Sequence, residues 1–224
     1  MTHLLRMAPG EIRSPLAAVI GYASTFIDYY DQLNAGEQME NVRGILHATH
    51  QLEVLVADIL SFSRIEDDVF HLNLSNVSLG AFLREAIESF RASAPGNDIR
   101  LSVNRSDPDV RIDTGRFLEV IDNLLENAVR HGDPPVEVSV VREDNQAVVS
   151  VTDRGPGVPE ESLDEVFEPF ARVRHPSRRD TRGTGLGLSV CRRIVEKHGG
   201  RIWAERPASD GFQVKFTLPL NSSR

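Results

Sequence analysis

The chain has 224 residues, 40% of them apolar, and a formal net charge of −8. That is enough chain for one large or two small domains and an ordinary composition for a folded cytosolic protein. The acidity argues against a nucleic-acid surface, which would need a basic face, and no apolar run approaches the ~20 residues of a membrane span.

Two helices come first. Leu5, Ile12, Val19, Phe26 and Leu33 recur every seven positions, with Leu16, Ala23 and Tyr30 in a second row, until Asn34-Ala-Gly36 ends the pattern. A second amphipathic run carries Val42, Thr49, Val56 and Ser63 in one row and Ile45, Leu52 and Ile59 in the other. Two such helices joined by a turn make a hairpin that buries one side of each, so dimerisation into a four-helix bundle is expected. The alternative is a hairpin packed onto the rest of its own chain.

The charge run from Ser63 to Asp68 and the loss of period mark a linker, giving a helical domain over 1–66, a linker over 67–73 and a second domain over 74–221. The second domain alternates. A strand is expected at Leu74 to Val77, a helix at Leu79 to Ser93, strands near Ile99 to Val103 and Val110 to Ile112, and a helix at Thr114 to His131. Asp113 reads as its N-cap and Gly132 as its C′ residue. Val136 to Val141 and Ala147 to Thr152 read as paired strands around Glu143-Asp-Asn145. A helix at Leu186 to His198 and strands at Arg201 to Glu205 and Phe212 to Leu218 complete a layered α/β domain. The whole is a two-domain α plus α/β chain. Cys191, the single cysteine, falls in an apolar helical pattern and reads as a buried structural thiol.

Three separated pieces of this second domain describe one ATP site. Asn123 and Asn127 lie four apart on one helical face, opposite Phe117, Val120, Ile121, Leu124 and Ala128. An amide oxygen from that face can complete a Mg²⁺ shell otherwise made of waters and phosphate oxygens. Asp153 ends a strand, where its carboxylate can accept a hydrogen bond from adenine's exocyclic amine, and Gly155 and Gly157 let a ring approach the backbone. Gly183, Thr184, Gly185, Leu186, Gly187 and Leu188 lead into a helix start whose N–H groups suit phosphate oxygens. Between these pieces Arg172, Arg174, Arg178, Arg179 and Arg182 read as a mobile lid whose charge meets the triphosphate, or as a solvated loop.

On these motifs the chain resembles the transmitter core of a two-component sensor histidine kinase over nearly its whole length. Asn123 to His131 resembles the family's N box, Asp153 to Gly157 its first glycine box, Phe167 to Phe170 its F box and Gly183 to Leu188 its second glycine box. His198-Gly-Gly200 and a closing hairpin ending Leu218-Pro219 fit as well. The resemblance implies that Asn127 ligates Mg²⁺, that Asn123 orients the attacking group or the phosphates, that Arg130 and His131 contact the phosphates, and that Asp153 reads adenine. It implies a helical-hairpin dimer followed by an α/β sandwich of the kind found in DNA gyrase, heat-shock chaperone ATPases and MutL proteins.

Glu11-Ile-Arg-Ser14-Pro15-Leu16 resembles the H box, in which a histidine precedes the glutamate; here that place is Gly10. The family's imidazole takes the γ-phosphoryl group while the glutamate accepts its proton. Glycine offers no acceptor. Pro9 and Gly10 also disfavour helix by ~3 and ~1 kcal/mol relative to alanine, so the first helix is expected to begin or bend there. The seam leaves position 10 facing solvent. His3, His47, His50 and His71 stand outside the H-box position.

Three functions stay open from sequence. One is a kinase core that cannot phosphorylate itself at the usual place but can serve a histidine on a heterodimer partner. Another is an ATP-responsive interaction protein, and the third a phosphatase for a response-regulator receiver domain using Glu11 and Ser14. The expected setting is cytoplasmic, free or as part of a longer membrane-bound sensor.

Overall fold

The computed structural model describes residues 4–66, 71–104, 107–173, 184–207 and 211–221, with side chains from 12 onward except 58 and 61–66. The chain divides into two compact units, Met1–Asp67 and Asp68–Arg224.

The first unit is a hairpin of α1 (Leu4–Asp28) and α2 (Ala35–Glu66). The first helix does not begin at Pro9 and Gly10 but runs through them from Leu4. Proline at that place forfeits one intrahelical bond, to the Leu5 carbonyl, and the apolar seam that follows outweighs it. The helix ends at Asp28, so Tyr30 and Leu33 of the heptad rows lie in the turn, where Tyr30 packs edge-on against Phe26 at 5.3 Å. Asn34 caps α2. Its Oδ1 accepts from the N–H groups of Gly36 and Glu37 at 2.9 and 3.1 Å, and the Asn34 N–H in turn donates to the Glu37 carboxylate at 2.9 Å. This reciprocal box explains why the period breaks at that point. Ala48 and Leu55 are buried against α1, and Tyr22 lies over Gly44, whose missing Cβ would meet the ring at 2.6 Å. Leu16, Ile20, Val42, Leu46, Val56 and Leu60 remain exposed along both helices.

The second unit has β1 (Ser75–Ser78), α3 (Leu79–Ser93), β2 (Ile99–Val103), β3 (Asp109–Ile112), α4 (Thr114–His131), β4 (Val136–Glu143), β5 (Gln146–Asp153), α5 (Gly187–Lys197), β6 (Ile202–Glu205) and β7 (Phe212–Pro219). β1 pairs with β3 alone, while the other strands form one sheet in the order β2-β4-β5-β7-β6. Only the β2–β4 pairing is parallel among its ladders. Val138, Val140, Val149, Val151, Val214 and Phe216 point to the side covered by α3, α4 and α5 and are buried. On the opposite side Ser139 bonds Ser150 at 2.6 Å and Gln213 bonds Thr152 at 2.7 Å. Polar and apolar residues thus alternate along β4, while β5 is buried on both sides from Ala147 to Val151.

Phe117 of α4 packs against α5 and β7. Phe117 is fully buried, edge-on to His198 at 4.7 Å and tilted against Phe216 at 5.8 Å. His198 joins the two helices. Its Nδ1–H donates to the Ile194 carbonyl at 2.7 Å, and its Nε2 accepts from the Asp113 N–H at 3.0 Å. That pair of bonds requires the neutral ring. Burial lowers the His198 pKa, against opposing pulls from the Ile194 bond and the Asp113 charge. A histidine whose folded pKa lies below its unfolded one stabilises fully above the unfolded value, and the contribution is lost as pH falls through the folded value. Thermal stability is therefore expected to decline as pH drops below about 6.5, and His198→Gln should flatten that part of the curve. An unchanged slope in the variant would assign the decline to other groups.

Asp113 is the N-cap foreseen for α4. One carboxylate oxygen accepts from the Arg116 N–H at 3.1 Å and the other from the Asn73 N–H at 2.9 Å. Gly132, expected at C′, instead occupies the C-cap with φ of −93°. Crowding sets this role rather than handedness, since a Cβ there would overlap Asp153.

Candidate nucleotide site

The site is built on α4. Its apolar side, Phe117, Val120, Ile121, Leu124, Leu125 and Ala128, is buried, which leaves Asn123 and Asn127 half-buried on the remaining face. The Asn123 Nδ2 donates to the Glu119 carbonyl at 2.8 Å, so the amide is oriented within its own helix. Its Oδ1 faces the start of α5: a Cβ added to Gly187 would lie 2.6 Å from that oxygen. Gly187 is a glycine because Asn123 occupies the space. Arg130 and His131, at the end of α4, are exposed, and Arg130 pairs with Glu126 one turn back.

The far end of α4 meets the end of β5. Asp153 is only 5% exposed, and its Oδ1 accepts from the Gly155 N–H at 2.8 Å. Burial of a carboxylate held by a backbone donor gives a fixed acceptor rather than a solvated charge. Gly157 is left-handed with φ of 67°, as the tight turn expected of it demands.

The third piece opens α5. Gly185 is left-handed with φ of 70°, and its carbonyl accepts from the Phe170 N–H at 2.9 Å, tying the segment after Phe167 to the helix start. Thr184 Oγ1 accepts from the Leu186 N–H at 3.3 Å. The helix begins at Gly187, one residue later than expected, and no side chain among the described residues caps it. Its first N–H groups therefore keep their capacity for an anion. Leu186 is buried, and Gly187 and Leu188 are half-buried. Behind it Phe167 is buried under the Arg192 guanidinium, 4.6 Å from the ring centre, and Arg192 also pairs with Glu168 at 3.3 Å. Cys191 is buried with its thiol directed at the Val120 carbonyl, 3.7 Å away. Burial, reinforced by the Glu119 charge, pushes that thiol pKa far up, so the side chain is inert packing between α4 and α5.

Asn123 is thus brought to the α5 start, and Asp153 to the end of α4, on one helix. Arg172 is exposed. Gly183 and the arginines 174, 178, 179 and 182 lie outside the described residues. In the other unit Gly10 and Glu11 are helical, and Ser14 is helical and exposed. Sequence reasoning missed Glu119 as the anchor of Asn123, His198 as a latch between helices, and the crowding of Asp153 by Gly132 and Gly211. The His-Gly-Gly run was the one available signal for the second of these.

A helical hairpin followed by an α/β sheet domain with this set of pieces is the layout of a histidine kinase core. Residues 1–68 match the His Kinase A (phospho-acceptor) domain, and residues 112–222 match the histidine kinase-, DNA gyrase B-, and HSP90-like ATPase family. The adaptive-response sensory kinase SasA of Prochlorococcus marinus is 34% identical across 99% of this chain and 58% of its own length. The histidine kinase ThkA, in complex with response regulator protein TrrA, superposes with a TM-score of 0.75 at 27% identity, covering 96% of this chain and 60% of that one. Full-length ShkA in complex with AMPPNP gives 0.69 at 27% identity, over 98% of this chain and 46% of that one. The chain belongs to the sensor histidine kinase family and forms its transmitter core. It spans between 23% and 58% of the curated relatives it matches. Among the described residues no helix is long and apolar enough to cross a membrane.

Proposed function

We propose that this chain is a Mg-ATP-binding kinase core that lacks its own phosphoacceptor and serves a histidine on a partner chain. The observation that carries the proposal is the state of α4: one helix presents an oriented Asn123 beside the α5 start and ends against a buried, hydrogen-bonded Asp153. A site no longer in use would have no need of both. The donor set fits the nucleotide. Asp153 offers a carboxylate to the exocyclic amine, the α5 N–H groups and Arg130 and His131 suit the phosphates, and Asn127 offers an amide oxygen to Mg²⁺. When bound, the ion would neutralise charge on the phosphate oxygens.

In the transfer, the partner's imidazole nitrogen bonds the γ-phosphorus as the bond to the β–γ bridging oxygen breaks, and ADP departs. The glutamate after the acceptor takes the ring proton. Here Glu11 retains that place while Gly10 removes the nucleophile. The exposed stripe of Leu16, Ile20, Val42, Leu46, Val56 and Leu60 supplies the apolar surface for a dimeric bundle, with a second copy or a related kinase chain. A receiver domain would be the downstream partner, as TrrA is for ThkA's complex.

Binding tests the site directly. Titrated with ATP in Mg²⁺, the chain is expected to bind, and Asn127→Ala should weaken binding by about ten- to a hundredfold, the loss of one charge-assisted contact, with most of the difference vanishing in EDTA. Equal affinity in the two proteins, or an effect independent of Mg²⁺, would overturn the assignment of Asn127.

A further inference from the structure

Two glycines outside the two glycine runs crowd Asp153 from different sides. At Gly132, on the C-cap of α4, an added Cβ would lie 2.3 Å from Asp153 Cβ, 2.4 Å from its Cγ and 2.4 Å from the Ala128 carbonyl oxygen. At Gly211, just before β7, an added Cβ would lie 2.1 Å from the Asp153 carbonyl oxygen, and φ is +143°, which L side chains rarely adopt. The first therefore presses on the side chain of Asp153 and the second on its backbone. Asp153 is the last residue of β5, in register with Phe212, so Gly211 adjoins the end of the ladder that fixes its backbone. The circle closes through Gly155. Its N–H holds the Asp153 Oδ1, and its own Cβ would meet Gly132 Cα at 2.7 Å.

We propose that Gly132 and Gly211 are positioning residues for base selection, holding the Asp153 carboxylate where it accepts from the exocyclic amine of adenine. The inference rests on the reading of Asp153 as the group that meets the base. Adenine offers an N–H donor at the position where guanine offers a carbonyl oxygen, and a carboxylate repels that oxygen. Such discrimination requires the carboxylate to be held within about 0.5 Å of its productive place. A methyl group at either glycine would demand a larger shift than that.

The test is a competition titration of ATP and GTP, in Mg²⁺, against a fluorescent ADP analogue. It compares the unaltered chain with Asp153→Asn, Gly132→Ala, Gly211→Ala and Gly96→Ala. Gly96 has φ of +92° and nothing within 4 Å of its added Cβ, so its variant carries backbone strain without touching Asp153. Gly132→Ala and Gly211→Ala are each expected to cut the ATP-over-GTP affinity ratio by about tenfold, the weight of one well-placed hydrogen bond. Gly96→Ala should lower the melting temperature and leave the ratio alone. If Asp153→Asn loses the preference while the folded glycine variants keep it, the positioning role is overturned. If Asp153→Asn itself keeps the preference, the reading of Asp153 falls instead. Should both glycine variants fail to fold, amide exchange on the unaltered chain decides. A Gly155 N–H protected without nucleotide supports a preset carboxylate, and one that exchanges freely until ATP is added overturns it.

Discussion

Gly10→His is expected to convert a chain that takes no acid-labile phosphate from γ-labelled ATP into one that does. The grounds are local. α1 is helical through position 10, so a histidine there stands on a formed helix directly before Glu11. The change also replaces glycine with a better helix former, worth a few tenths of a kcal/mol. The new imidazole would be the nucleophile and Glu11 its proton acceptor, so Glu11→Gln added to Gly10→His should slow labelling by about a hundredfold or more, the usual weight of a positioned general base. Acid lability and alkali stability of the label would distinguish phosphohistidine from phosphoserine at Ser14. Failure of Gly10→His to label, with ATP bound, would mean that position 10 is not the only defect.

Phe117→Ala is expected to destabilise the second unit by about 3–5 kcal/mol, the cost of deleting a large ring from a closed core. The ring is fully buried between His198 and Phe216, and His198 is held by two hydrogen bonds, so the hollow has little freedom to collapse. In a domain of this size the loss corresponds to roughly 10–15 °C in melting temperature. The next residue gives the contrast: Leu118 is 37% exposed, and Leu118→Ala should cost about 1 kcal/mol or less. Urea titrations followed by the fluorescence of Trp203, in β6, would read both variants. Similar midpoints for the two would contradict this account of the core.

Much of this was legible in the chain because local signals agreed with one another. α3 and α4 have the expected bounds, Leu79–Ser93 and Thr114–His131, because each has a strong apolar face, and for α4 the Asp113 cap points the same way. In the Asp153 turn and the second glycine run, Gly157 and Gly185 are left-handed, so glycine at those two places follows from local backbone geometry. Other features depend on neighbours distant in sequence. Nothing local says that Gly187 makes room for Asn123 or Gly211 for the Asp153 carbonyl, 64 and 58 residues away (187 − 123 and 211 − 153). Gly132 reads as a helix terminator because glycine there usually is one; the crowding at it comes from Asp153 on β5 as well as from the Ala128 carbonyl of its own helix. A helix start at Pro9 and Gly10, one of the two outcomes their propensities suggest, does not occur, since single-residue propensity yields to the helix around it.

The central claim is an intact kinase site in a chain without its own acceptor. It is tested most directly by mixing the unaltered chain with a Gly10→His version that also carries Asn127→Ala, adding γ-labelled ATP and Mg²⁺, and following acid-labile label on each chain. Label on the histidine-bearing chain in the mixture, and on neither chain alone, is the predicted result. No label, with nucleotide binding and mixed dimers both demonstrated, would contradict the claim and leave a protein that binds ATP without transferring its phosphate.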